Sequence, residues 1–379
     1  ISGAEGLSLL AIPFFVCAGI FMNYTGVTKR IMNCCEVLTA RMPGGLAQVN
    51  ILLSTLMGGL SGSSLADAAM QCKMLVPTME SKGYSKSFST VITAASGMVV
   101  PLIPPGVGLI IYGCINNISI GKLFIAGIGP GIVLCVTLMI FTHFLSKKRG
   151  YLPSRTTKIP VSEKIAAVRP AFLPLLLPII IIGGVRIGVF TASEAGTVAI
   201  VYAVLLGLLY KELTLKNVMQ GCKETVTTTA SIMLIVAAAT CFSWILTKEQ
   251  IPQQFSQWMI SNIHNKYVFL IMVNIFLLIV GMFIEGNASM IVLAPLLHPV
   301  AMAYGIDDIH FAMVYIFNCT IGAFTPPMGT LMFVSCGITK CPTKDFIKEA
   351  VPFYILFAID IIVLTYIPQL TTFLVNVFY

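Results

Sequence analysis

The chain is 379 residues long, 57% hydrophobic and only 10% charged, against roughly 25% charged residues in a soluble domain. That leaves too little polar sequence to coat a water-soluble exterior, so the composition identifies a polytopic, all-helical protein living in a lipid bilayer. Its formal charge of +8 does not point to nucleic acid, because the basic residues sit in loops between apolar runs, where they orient a membrane protein.

In chain order, Leu7–Met22 is apolar enough to span, and an amphipathic arm helix is expected over 23–45, lying near the interface. The next apolar stretch is interrupted by "GGLSGSSLADAA" (Gly58–Ala69), a flexible polar knot. Polar, glycine-rich backbone at membrane depth survives only against protein or a water-filled cavity. A re-entrant hairpin over 50–78, with Gly58–Ser64 at its tip, meets that requirement. A helix over 88–112 follows, broken at "PLIPPGVG" (Pro101–Gly108), because proline removes a backbone donor and glycine frees the turn. Leu123–Leu145 spans back to "KKRGYLPSRTTKIPVSEKIAAVR" (Lys147–Arg169), a linker (146–169) holding seven of the 23 Lys and Arg residues.

Beyond the linker come two leading helices over 170–210, the apolar run Ala230–Leu246, and a second amphipathic arm over 247–266. A hairpin over 268–304 carries its polar tip in "FIEGNAS" (Phe283–Ser289). A helix over 311–335 is broken at "GAFTPPMG" (Gly322–Gly329), and Val351–Pro368 spans last. Trp244, Trp258 and Arg186 read as interfacial anchors.

These halves match without gaps at an offset of 222 residues: Pro77 on Pro299, Gly83 on Gly305, Pro104-Pro105 on Pro326-Pro327, Lys122 on Lys344, Pro130 on Pro352. Leucines coincide by chance in apolar sequence, whereas prolines and glycines holding one register mark an internal duplication. The expected repeats are 1–145 and 170–379. If the first hairpin opens toward the cytoplasm and the second away from it, 19 of the 23 basic residues face inward, leaving Lys122, Arg186, Lys248 and Lys266. The positive-inside rule thus supports two inverted-topology repeats, each with a re-entrant hairpin and a broken helix. Such paired breaks point to a transporter whose site lies at the repeat interface.

An enzyme reading finds little footing. "GLSGSS" lacks the GxSxG frame, no HExxH occurs, the eleven cysteines show no CxxC, and His143, His264, His298 and His310 are scattered. No organic cofactor is expected.

Taken together, "GGLSGSSLADAA", "PLIPPGVGLIIYG", "FIEGNASMIVLAPLLHPVA" and "GAFTPPMGTLMF", in this order and spacing, resemble the large membrane (M) subunit of tripartite ATP-independent periplasmic (TRAP) transporters. The resemblance covers nearly the whole chain. It implies a sodium-driven secondary transporter of the bacterial inner membrane that imports an organic anion by an elevator motion. It also implies two partners, a small four-helix membrane (Q) subunit and a periplasmic substrate-binding protein. First-half counterparts of the leading helices would precede Ile1, so part of the subunit is expected ahead of it. A carrier working without a binding protein, of the sodium/dicarboxylate or citrate type, is the alternative.

Under that resemblance the polar breaks become sites. Na⁺ is a hard cation that takes several oxygen ligands, which unwound carbonyls and small hydroxyls supply. One sodium site is expected between the first tip (Ser61, Gly62, Ser63, Ser64) and the first break (Ser96, Gly97, Val100, Pro104). A symmetry-related one is expected between Gly286, Asn287 and Ala288 and the second break (Asn318, Thr320, Thr325, Met328). For the substrate anion the candidates are Ser61, Ser63, Asp67, Lys248 and Glu285, aided by helix N-termini at the tips. Sialic acid is favoured, because the serine-rich first tip suits a polyhydroxylated acid and resembles that branch; C4-dicarboxylates and keto acids stay open.

Overall fold

The 222-residue offset that relates prolines in the sequence also relates helices in the structure. A computed structural model describes residues 7–379 other than Thr156 and Lys158. Residues 1–6 of the expected first repeat, and those two linker positions, lie outside the described residues. Among the described residues all regular structure is helical: a short 3-10 turn at Leu7–Leu10 is followed by seventeen α-helices.

In the first repeat, α1 (Ala11–Asn23) bends by 68° into α2 (Val27–Thr39), the arm. Thus the span runs on to Asn23 and the arm is shorter than 23–45. Helices α3 (Gly45–Ser61) and α4 (Ser64–Ser81) form the hairpin, α5 (Lys86–Gly97) and α6 (Val107–Asn116) the broken helix, and α7 (Ile120–Lys148) the return span. Next come α8 (Val161–Ile187), α9 (Ala192–Leu209) and α10 (Leu215–Lys248). The second repeat continues with arm α11 (Ile251–Asn262), hairpin α12 (Lys266–Phe283) and α13 (Gly286–Ala303), broken helix α14 (Asp308–Phe324) and α15 (Thr330–Thr339), and α16 (Thr343–Tyr366) with α17 (Gln369–Phe378).

Equivalent positions even cap their helices alike. Ser63 accepts the Ala66 amide at the start of α4 and Glu285 the Ala288 amide at the start of α13; Ser85 caps α5 at Phe88 and Asp307 caps α14 at His310. Each cap satisfies a donor that a helix start would otherwise leave bare. The Pro104-Pro105 and Pro326-Pro327 bonds are both cis.

Six described helices are long and apolar enough to cross a membrane: α7 through α10, α12 and α13. The last two are joined by a two-residue tip, so they form a hairpin. Taking α5–α6 as one broken crossing, five crossings separate the two hairpins, an odd number, which places them on opposite faces. The repeats interlock across their pseudo-symmetry: α4 packs on α15 as α13 packs on α6, and α14 packs on α7 as α16 packs on α5. Interlocked this way, the hairpins, broken helices and return spans make one body, with α1, α8, α9 and α10 outside it.

Within that body small residues bring backbones together, as membrane packing requires. A Cβ built at Gly322 would lie 2.6 Å from the Gly281 Cα, where α12 and α14 cross. One at Gly58 would lie 3.2 Å from the Val100 Cα, where α3 meets the first break just beyond α5.

Candidate functional site

Both hairpin tips deliver a helix N-terminus to the same place. At the first, α3 ends on Gly62 in the left-handed conformation (φ 61°), which glycine adopts without strain, and Ser63 then starts α4. At the second, extended Ile284 leads to Glu285, whose Oε2 accepts the Ala288 amide at 3.1 Å and whose Oε1 accepts Asn287 Nδ2 at 2.9 Å. Ser61, Gly62, Ser63 and Ser64 from one tip and Glu285, Gly286 and Asn287 from the other line a single cavity of about 620 Å³. Thr320 of α14 joins them.

The remaining wall comes from outside the interlocked body. Gly19 and Asn23 of α1 line it; a Cβ at Gly19 would stand 2.6 Å from the Ser61 carbonyl oxygen, so α1 lies directly on the first tip. Helix α10 contributes Glu224, Thr227, Thr228, Ser231, Ile232 and Ile235. Among the described residues no lysine or arginine lines the cavity.

Carbonyls of the first break crowd the first tip. A Cβ at Gly58 would lie 3.2 Å from the Val100 oxygen, one at Gly59 3.4 Å from the Pro104 oxygen, and one at Gly62 2.9 Å from the Pro105 oxygen. Gly97 faces the Ser64 carbonyl in the same way, at 3.4 Å. Ser61 is buried and its Oγ finds no hydrogen-bond partner among the described residues. In the second repeat Asn318 Oδ1 is likewise buried and unpartnered.

Several candidates lie elsewhere. Asp67 does not reach the cavity. It closes the first turn of α4, where a step of about 100° beyond Ala66 carries it from the cavity face to the α3 face. There Asp67 Oδ2 accepts Ser54 Oγ at 2.7 Å and Gln71 Nε2 at 2.8 Å, and Ser54 reaches Ser96 at 3.1 Å. Ser96 in turn donates to Asn50 Oδ1 at 3.2 Å. So Asp67 and Ser96 belong to one buried network that ties α3, α4 and α5 together. Lys248 is exposed at the end of α10, its Nζ 5.1 Å from the Trp244 ring centroid, and does not line the cavity.

In the second break, Asn318 Nδ2 donates to Asn274 Oδ1 at 2.8 Å and Asn274 donates to Thr365 at 2.9 Å, facing away from the tip. The hydroxyl of Thr325 donates to the Ile321 carbonyl at 2.8 Å, and Met328 is exposed in the loop. The Ala288 amide is held by Glu285. Missed by sequence reasoning are the α10 residues Glu224, Thr227, Thr228 and Ser231. Their i, i+3, i+4, i+7 spacing is the signal that could have found them.

Comparison with known proteins now has a geometry to stand on. Residues 1–370 match the family described as "Tripartite ATP-independent periplasmic transporter, DctM component". The chain is 40% identical over its whole length to the sialic acid TRAP transporter large permease protein SiaM of Vibrio cholerae, covering 88% of that protein. It is 36% identical, over 98% of its length, to the C4-dicarboxylate TRAP transporter large permease protein DctM of Pseudomonas aeruginosa, covering 87% of it. Among solved structures, the YdaH transporter of Alcanivorax borkumensis, described as having an unusual topology, superposes with a TM-score of 0.60. That match covers 96% of this chain and 85% of the other at 12% identity, a likeness of fold alone. With the family model spanning nearly all of the sequence and both permeases similar end to end, the chain belongs to the DctM family, the large membrane permeases of TRAP transporters.

Proposed function

We propose that this permease imports an organic anion, sialic acid by preference, across the bacterial inner membrane, coupled to sodium and supplied by a periplasmic binding protein. A small four-helix membrane subunit completes the complex. The observation that carries the reading is the cavity where two symmetry-related helix N-termini meet without a lysine or arginine.

An anion in such a cavity needs positive field from elsewhere. At α13 the N-terminal field is already taken by the Glu285 carboxylate. At α4 the cap is the neutral Ser63, so the amides of that first turn remain for a substrate carboxylate, with the Ser61 and Ser63 hydroxyls beside them. Sodium bound among the Ser61 hydroxyl and the Val100, Pro104 and Pro105 carbonyls would stand next to that carboxylate and compensate its charge. Asn287 and Thr320, which line the cavity, give the second repeat a corresponding donor set.

The elevator motion is supported by the division of the fold. The hairpins and broken helices interlock with one another across the pseudo-symmetry, whereas α1 and α10 pack against that body from one side, on α3, α6 and α13, and wall the cavity there. From the tips the cavity runs along α1 and α10 toward Asn23 and Glu224, next to the basic segments Lys29–Arg30 and Lys211–Lys223. By the positive-inside rule this is the cytoplasmic side, so the arrangement is the inward-facing one. The relatives' names span both sialic acid and C4-dicarboxylates, so identity does not choose the substrate; the serine-rich first tip and roomy cavity favour the larger, hydroxylated acid.

The test is uptake of labelled sialic acid into proteoliposomes carrying the complete membrane complex, with and without an inward sodium gradient and the binding protein. Uptake is expected only with both. Sodium-driven uptake without the binding protein would establish the stand-alone carrier instead. Sodium-dependent uptake of succinate or a keto acid but not of sialic acid would overturn the substrate.

A further inference from the structure

The wall opposite the hairpin tips has a chemistry of its own. Glu224, Thr227, Thr228 and Ser231 form one polar stripe along α10, and Asn23 at the end of α1 faces it. Tyr24 Oη donates to Glu224 Oε1 at 2.7 Å and Gln220 Nε2 donates to the same oxygen at 2.8 Å, which fixes the carboxylate and leaves Oε2 without a hydrogen-bond partner among the described residues. No basic group pairs with it among the described residues. The hydroxyls of Thr227 and Ser231 donate to the carbonyls of Lys223 and Thr227, both at 2.9 Å, so their remaining lone pairs are turned outward as acceptors.

We infer that this stripe is the selectivity wall of the permease, accepting hydrogen bonds from the hydroxylated body of a monocarboxylic sugar acid and rejecting dicarboxylates through the Glu224 charge. The inference rests on the organic-anion reading above and narrows its substrate class. Gly19 touches the first tip, and Tyr24, whose hydroxyl holds Glu224, lies five residues further along the chain, an advance of about 8 Å along α1 by helical rise. A substrate held by its carboxylate at α4 therefore extends toward Glu224. Sugar hydroxyls meet acceptors there, and hydrogen bonds to a carboxylate are the stronger kind. A second carboxylate meets a fixed negative charge instead. The first carboxylate feels Glu224 equally in both classes of substrate, whereas a second one lies between the tip and Glu224. The weakening of about thirtyfold that two unit charges about 8 Å apart suffer at an effective dielectric constant near 20 is therefore a lower bound on the discrimination.

Because the wall faces the cytoplasmic mouth, competition is best applied from that side, which also bypasses the binding protein. Sodium-driven uptake of labelled sialic acid is measured into proteoliposomes whose lumen holds either unlabelled sialic acid or succinate. In the wild type, luminal sialic acid is expected to inhibit and succinate to do so only weakly. Glu224→Gln should lower the inhibition constant of succinate by at least about thirtyfold and raise that of sialic acid severalfold. Tyr24→Phe, which removes a hydrogen bond but keeps the carboxylate, should retain the wild-type ranking and so separates charge from local structure. Unchanged ranking in Glu224→Gln, with sialic acid still taken up, overturns the wall and leaves the transport reading standing. If the wild type takes up no sialic acid, the substrate reading fails on its own. The wall is then judged by thermal-shift titration of the purified complex with gluconate and succinate, and wild-type preference for succinate overturns it.

Discussion

Substituting Gly322 by alanine tests whether the interlocked body depends on the backbone crossing of α12 and α14. The new Cβ would stand 2.6 Å from the Gly281 Cα, 2.8 Å from its carbonyl carbon and 3.3 Å from its oxygen. All three are backbone atoms, so no side chain can rotate away. Ordinary carbon contacts sit at about 3.5–4.0 Å, and a radial gap of 0.5–1 Å forfeits roughly a quarter to a half of each contact. The two helices must part by about 1 Å, and the cost of such overpacking is ~2 kcal/mol. Gly337 on α15 is the control, because a Cβ there meets nothing within 4 Å. Its replacement by alanine restricts the unfolded chain and stabilises by about 0.4–1 kcal/mol. Scanning calorimetry of the detergent-purified protein should place Gly322→Ala several degrees below the wild type and Gly337→Ala at or above it. Gly281→Ala combined with Gly322→Ala should cost less than the two singles added, since either one already opens the same crossing. Unfolding of Gly322→Ala at the wild-type temperature would refute the close-contact account.

Ser63→Ala removes the neutral cap of α4 and a proposed substrate donor; we expect ~1 kcal/mol of lost stability and a rise in substrate KM of about tenfold, measured by calorimetry and uptake. Ser61→Ala and Asn287→Ala should each raise the sodium concentration needed for half-maximal uptake, and unchanged sodium dependence in both would exclude the proposed ion sites. Tyr151 of the linker stacks on Tyr84 at 4.3 Å and lies 5.2 Å from the Phe88 ring centroid. Tyr151→Ala should loosen the linker, and trypsin cleavage within residues 147–169 should accelerate without loss of the membrane-embedded fragments.

What the sequence disclosed, and what it hid, follows from the range of the forces involved. Proline, glycine and capping residues act on the backbone within a turn of themselves. For that reason Pro104-Pro105, Pro326-Pro327, Gly62 and Ser63 were legible one position at a time, and their shared offset exposed the duplication. Asp67 shows the limit. Its nearness to the first tip in sequence suggested nearness in space, but Ser64, Leu65 and Ala66 take the cavity side, and one further step of about 100° turns Asp67 toward Ser54 and Gln71, which hold it in the protein interior. Lys248 was judged by proximity to the second hairpin, whereas α10 runs unbroken to that residue and leaves it outside. The same helix hid the α10 wall. "TVTTTAS" (Thr225–Ser231) is too polar to count as a span, so the crossing was drawn from Ala230 onward. A helix that lines a water-filled cavity needs no apolar residues on that face, and α10 in fact begins at Leu215.

Duplication alone would have produced two identical tips and therefore two equivalent anion sites. The caps break that equivalence. Ser63 and Glu285 occupy matching positions and accept matching amides, yet one is neutral and the other charged. The Glu285 carboxylate fills the field of α13 with the protein's own anion, while the field of α4 stays open. A second fixed carboxylate, Glu224, closes the far end of the cavity. One cavity thus holds two protein carboxylates, no lysine or arginine among the described residues, and a single unoccupied helix N-terminus. An organic anion entering alone would meet net repulsion, and this supplies a physical reason for cations to arrive with it. On this account Glu285→Gln frees the second N-terminus and weakens the need for sodium. Uptake by that variant should show a shallower dependence on sodium concentration than the wild type, and an unchanged dependence would mean that the charge of Glu285 plays no part in coupling.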